Sequence, residues 1–179
     1  SRLPELEALP GVRAVRPMRR FKPVMNAATE VVKGASAWAA VGGAANAGKG
    51  IKIGTIDSGI DHTHPAFAKS DLNLPPGYPL CTSGHPEDCQ YTNNKVIVAR
   101  SYVRQMALAG VTDPSNPAAE SQPDDYSPRD HMGHGTAVAS AAAGETNTGT
   151  VTFTGVAPKV WLGNYKIAGS PGVNDGPSD

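Results

Sequence analysis

The chain is 179 residues long, room for one domain of ordinary size or for a piece of a larger one. Sixteen Lys plus Arg balance sixteen Asp plus Glu, so no long-range field points to nucleic acid or an anionic membrane surface as partner. A hydrophobic fraction of 39% argues against wholesale disorder, while twenty Gly and sixteen Pro put much of the chain into turns and long loops, where sites are usually built.

No run approaches the roughly 18 apolar residues that a membrane helix needs. The N-terminus lacks a basic stretch followed by an apolar one, so any export signal is expected to be gone already. Residues 1–17 predict a short helical piece ending at Leu9, a turn at Pro10-Gly11, and a short strand from Val12 to Val15 closed by Pro17. Residues 18–34 show no sustained period. The Ala-rich run from Gly34 to Ala47 predicts a helix capped by Ser36, weakened by Gly42 and Gly43 and ending near Gly48.

Ile51 to Asp57 is a short β-rich run followed at once by Gly59, which delivers Asp57 to the C-terminal edge of a strand. Open α/β sheets bind ligands at that edge. Residues 68–94 and 104–130 are polar and broken by Pro and Gly, and they flank a second predicted strand, Lys95 to Val103. Gly133 to Ala143 predicts a buried helix closed by Gly144, and Val156 to Ile167 contains a third strand. Strand, loop, strand, helix, strand is the order of an α/β sheet. Three strands make a short sheet, which predicts a piece of a larger domain.

Cys81 and Cys89 lie in one polar, loop-like segment. A local disulfide there fits an extracytoplasmic protein, and two free thiols on a surface loop are the alternative.

Three constellations compete for the chemistry. Asp57-Ser58-Gly59 has the D-[ST]-G form used by aspartic proteases, but those need two carboxylates sharing a proton and the chain has one copy, followed by Ile60. His62 and His64, with His131 and His134 and with Asp57 and Asp61 nearby, offer nitrogen and oxygen ligands for zinc. Against a metal, His64-Pro65 reads equally well as a structural turn with its imidazole bonded to nearby backbone. The third constellation pairs Asp57 with His134. A His in the first turn of a buried helix has its charged form disfavoured by the helix dipole, whereas a carboxylate at Nδ1 fixes the tautomer and stabilises the imidazolium when it forms. Those are the demands on a general base for a serine nucleophile. Taken alone, His134 reads more simply as a satisfied core histidine.

The chain resembles the subtilases, the subtilisin-like serine peptidases, in three motifs that occur in the family's order. Ile53 to Ile60, with Asp61 and His64-Pro65 after it, resembles their catalytic Asp motif. His134 to Gly144 resembles the catalytic His motif, and Gly155-Val156-Ala157-Pro158 the segment that follows it. Lys95 to Tyr102 and Trp161 to Ile167 look like the large secreted branch that carries a protease-associated domain. The resemblance covers roughly residues 34–179.

It implies an α/β fold with a mainly parallel sheet and flanking helices, incomplete in this chain. Asp57 would orient the imidazole, His134 would be the general base, and Ser170, Pro171 and Gly172 would lie on the edge that pairs with substrate backbone. Residues 1–17 would be the remnant of an inhibitory propeptide. Residues 18–179 would be the N-terminal part of the catalytic domain, with an insertion at about 70–128 that carries both cysteines. The implied partners are a polypeptide substrate, the chain's own propeptide and the remainder of the catalytic domain, without nucleic acid or membrane, and the implied location is secreted or extracytoplasmic.

The chain departs from the family pattern in several places. No Gly-Thr-Ser occurs, so the nucleophile and the oxyanion Asn are expected in a later segment. Thr55 stands where an aliphatic residue is usual. No cofactor is expected to be required; calcium is left open, although Ala66 stands where calcium-binding relatives place an Asp. A second reading of the same scaffold is a binding or inhibitory module without chemistry.

Overall fold

The computed structural model describes residues 9–12, 29–103 and 126–168. The expected substrate-edge residues Ser170, Pro171 and Gly172, and most of the segments 1–17 and 104–130, lie outside the described residues. At Leu9 to Val12 the chain makes a tight turn in which Val12 N–H donates to Leu9 C=O at 3.1 Å. Pro10 and Gly11 take its central positions, Gly11 with φ +89°.

Helix α1 runs over Gly34–Ala40 and is shorter than the composition suggests. Ser36 lies inside the helix and does not cap it, since Lys33 holds the N-cap position with no side-chain bond. The early stop is a Schellman closure. Gly43 N–H donates to Trp38 C=O at 2.7 Å and Gly42 N–H to Ala39 C=O at 3.2 Å, which satisfies the last carbonyls as left-handed residues after a helix do. A 3-10 turn at Ala44–Asn46 then leads into the sheet.

The main sheet is wholly parallel. Its strands are β1 (Lys52–Asp57), β2 (Leu80–Cys81), β3 (Val96–Ser101) and β6 (Trp161–Lys166), in the order β1-β6-β3-β2. β1 and β6 pair from Lys52 opposite Trp161 to Asp57 opposite Lys166. The sequence predicts three of these four strands. β2 escapes because two residues in a polar segment carry no period, as does the antiparallel hairpin of β4 (Asn147–Thr148) and β5 (Thr152–Phe153). Both β2 and β3 lie within the interval 70–128, and β3 joins the sheet between β6 and β2.

Helix α2 is the short Pro65–Ala68 turn, and α3 is His134–Ala143. Small residues bury one side of α3, with Gly135, Thr136, Ala139 and Ala143 against the sheet and Val138 exposed. The α3 alanines meet Ile60, Ala66, Phe67, Val96, Val160 and Leu162 in one core. Short side chains let the helix backbone approach the strands closely. Lys95, fully buried before β3, donates from Nζ to the carbonyls of Pro158 and Val160, the latter at 2.7 Å. Burial pulls its ammonium down to about 8.

Cys81 and Cys89 are joined by a disulfide that spans eight positions and ties edge strand β2 to the 3-10 turn Pro86–Tyr91. A ring of this size restricts the unfolded chain by about 2.5 kcal/mol. Replacing both cysteines by Ser should lower the unfolding free energy by about that amount and move the urea midpoint down accordingly. An unchanged midpoint would mean that the bridge contributes nothing to stability.

Candidate active site

Asp57 ends β1 and His134 opens α3, so the C-terminal edge of the sheet and the N-terminus of a helix bring the two together across 77 positions of sequence. His134 Nδ1 lies 2.8 Å from Asp57 Oδ1 and 3.0 Å from Oδ2. The Ser58 backbone N–H donates to the same Oδ1 at 2.7 Å, fixing the carboxylate. The side chain of Asp57 is 17% exposed and that of His134 is 65% exposed. The imidazole is therefore held by its inner nitrogen while the rest of the ring faces outward.

The close packing depends on Gly135, where a Cβ would stand 2.1 Å from Gly59 C=O and 3.1 Å from Asp57 Cβ. Gly59, at φ +113°, turns the chain away after the strand, under the Pro128 and Arg129 backbone.

Two opposing effects act on His134. The dipole at the helix N-terminus disfavours the imidazolium, and the Asp57 hydrogen bond and charge favour it. Asp57 wins: its hydrogen bond first, then its charge, raises the His134 pKa above the ordinary imidazole value despite some desolvation. A raised imidazole stabilises the fold at pH below the unfolded value, and that contribution is lost as pH rises through the folded one. In an NMR titration His134 should lose its proton above the ordinary imidazole pH, and Asp57→Asn should lower the midpoint. An equal midpoint in both proteins would mean that the contact does not persist in solution.

The other candidate ligands are used elsewhere. His64 caps α2, its Nδ1 accepting from Ala66 N–H at 3.2 Å. His62 stands edge-on to Tyr91, and burial lowers its pKa. Among the described residues no group of three or more His, Cys, Asp or Glu is arranged to hold a metal ion. Ala66 is fully buried in the core and has no side-chain oxygen to offer calcium. The residue that Asp57 meets is a histidine, which is not the carboxylate pairing of an aspartic protease.

Asp130 is a residue of this site that the sequence does not single out. It is buried and accepts five hydrogen bonds around the entry to α3. Its sequence signal was a lone Asp four positions before His134. Such a residue commonly bonds the backbone two positions on, as Asp130 does at Met132 N–H.

A carboxylate at Nδ1 of an outward-facing imidazole is an arrangement that serine hydrolases use. The model of the subtilase family matches residues 48–176, and the chain belongs to that family of serine peptidases. It is 36% identical over 144 residues to subtilisin-like protease SBT2.1 of Arabidopsis thaliana, covering 73% of this chain and 16% of that protein. It is 33% identical over 139 residues to subtilisin-like protease SBT1.4 of the same plant, covering 73% of this chain and 17% of the relative. The chain thus spans about a sixth of the length of these relatives. No solved structure matches it.

Proposed function

We propose that the chain is the N-terminal part of a secreted serine endopeptidase in which Asp57 and His134 supply two members of the triad and a segment beyond Asp179 supplies the serine. The observation that carries this reading is the 2.8 Å contact between His134 Nδ1 and Asp57. With Nδ1 occupied by the carboxylate, Nε2 is the ring's free base. It takes the proton of the serine hydroxyl as Oγ bonds to the scissile carbonyl carbon, and the carbonyl π electrons move onto oxygen. When that intermediate collapses, the C–N bond breaks and the amine leaves with the proton from Nε2. Water then hydrolyses the acyl-enzyme with the same proton path reversed. Asp57 steadies the imidazolium in both halves without itself taking the proton.

In this reading the substrate is a polypeptide, whose backbone runs along Ser170, Pro171 and Gly172, and no cofactor takes part. Residues 1–17 are propeptide remnant, and the interval from about 70 to 128 is an insertion in the catalytic domain. Secretion is supported by the Cys81–Cys89 disulfide, which suits an oxidising compartment. Among the described residues no helix is long and apolar enough to cross a membrane.

The test compares the longer gene product with residues 1–179 on a fluorogenic peptide. The longer protein should cleave it and the 179-residue chain should be inert. Fluorophosphonate-sensitive hydrolysis by the 179-residue chain would overturn the assignment of the nucleophile. An inactive longer protein without a Gly-Thr-Ser segment would establish the binding or inhibitory module instead.

A further inference from the structure

A second carboxylate holds the Asp57–His134 pair in place. Asp130 Oδ1 accepts from Ser58 Oγ at 2.9 Å, Met132 N–H at 3.0 Å and Gly133 N–H at 2.8 Å. Its Oδ2 accepts from Thr136 N–H at 2.9 Å and Thr136 Oγ1 at 2.6 Å. Ser58 Oγ in turn accepts from Gly135 N–H at 2.9 Å, and Thr136 Oγ1 accepts from Asp61 N–H at 2.9 Å. One carboxylate therefore bonds to the residue after Asp57 and to residues on both sides of His134. Strand β6 grips the same segment from beneath, through Asn164 Nδ2 to Pro128 C=O at 2.8 Å and Lys166 Nζ to Arg129 C=O at 2.7 Å.

Helix capping alone would need only the bonds to residues 132, 133 and 136. The Asp130–Ser58 bond crosses 72 positions to the end of β1, and Ser58 passes the connection on to Gly135. These links fix the distance between a strand end and a helix entry, which is the distance that sets the Asp57–His134 contact. Burial by itself would raise the Asp130 carboxyl. Its bonds from Thr136, Gly133 and Ser58 outweigh burial and hold it below the usual carboxylate value, so it stays ionised in a buried setting.

We infer that Asp130 is a positioning residue for the His134 base, working through Ser58, Gly135 and Thr136 to keep the imidazole on Asp57. As a statement about catalysis it rests on the proposed peptidase function. Proton transfer tolerates little misplacement, and a shift of about 1 Å can cost roughly 100-fold in rate. Asp130 touches neither the imidazole ring nor, in the proposed mechanism, the substrate.

The first arm of the test is an NMR titration of His134 in the 179-residue chain, which needs no activity. The charged groups that bear on His134 are Asp57 and Asp130. Asp130→Asn should lower the His134 midpoint by loss of both charge and alignment. Ser58→Ala changes no charge, so the fall expected there reports alignment alone, and Ser58→Thr should restore the wild-type midpoint. If Asp130→Asn does not fold, Ser58→Ala and Thr136→Val, with Thr136→Ser as the rescue, decide in its place. An unchanged midpoint in natively folded Ser58→Ala and Thr136→Val overturns the inference.

The second arm is the longer gene product, in which Asp130→Asn should lower kcat about 100-fold with KM nearly unchanged. Wild-type kcat in that variant would also overturn the inference. A wild-type protein without peptidase activity would defeat the proposed function and leave the titration to decide on Asp130.

Discussion

His134→Ala in the longer gene product is expected to cut turnover by on the order of 10⁶, the scale of loss in triads that act as a unit. With the ring gone, no group remains to take the serine proton or return it to the leaving amine, and Asp57 has nothing to orient. Asp57→Asn should be milder, at about 10⁴. The amide keeps the shape of the side chain but can present its N–H to Nδ1, which moves the ring proton to Nε2, where the serine proton must arrive. KM should change little in either variant, because neither side chain is proposed to bind the peptide backbone. The measurement is kcat and KM on one fluorogenic peptide across the three proteins. Activity within tenfold of wild type in His134→Ala would remove His134 from the mechanism.

Gly135→Ala should damage fold and site together. The added Cβ meets the Gly59 carbonyl at 2.1 Å; the carbonyl is backbone and the Cβ is fixed by its own backbone, so neither can rotate aside. Relief requires α3 to move off the end of β1, which stretches Asp57–His134 and the Ser58–Gly135 bond at once. Overpacking of this kind costs about 3 kcal/mol, and the displaced base should lower kcat roughly 100-fold. Thermal unfolding of the 179-residue chain reads the first effect and turnover of the longer protein the second. A variant with wild-type melting and wild-type kcat would show that the helix has room that the structure denies it.

The parts of this arrangement that the sequence made legible are those with strong local signals. Ile51 to Asp57 is rich in β-branched residues up to a carboxylate, with a glycine soon after, and Gly133 to Ala143 combines small residues with a closing Gly144. Each signal survives in the structure because packing agrees with it: β1 has a partner along its whole length, and the small face of α3 lies on the sheet. Composition was less informative where two signals conflicted. Ser36 looked like a cap, but the chain entered α1 through Lys33. Gly42 and Gly43 looked like interruptions within a helix and proved to be its terminus.

β2 and the β4–β5 hairpin were invisible because two-residue strands have no period, and their pairing is decided by the chain they meet. Asp130 was invisible for a related reason. The role inferred for it rests on a bond to Ser58, 72 positions away, and a lone acidic residue in a polar loop gives no sign of such a partner.

The central claim is that Asp57 and His134 serve a serine that lies beyond Asp179. The most direct measurement is fluorophosphonate labelling of the longer gene product, with the modified residue mapped by mass spectrometry in wild type and in His134→Ala. The account predicts a single labelled serine C-terminal to Asp179, modified quickly in the wild type and scarcely at all in the variant. Label on a serine within residues 1–179, or equal labelling of the two proteins, would contradict it.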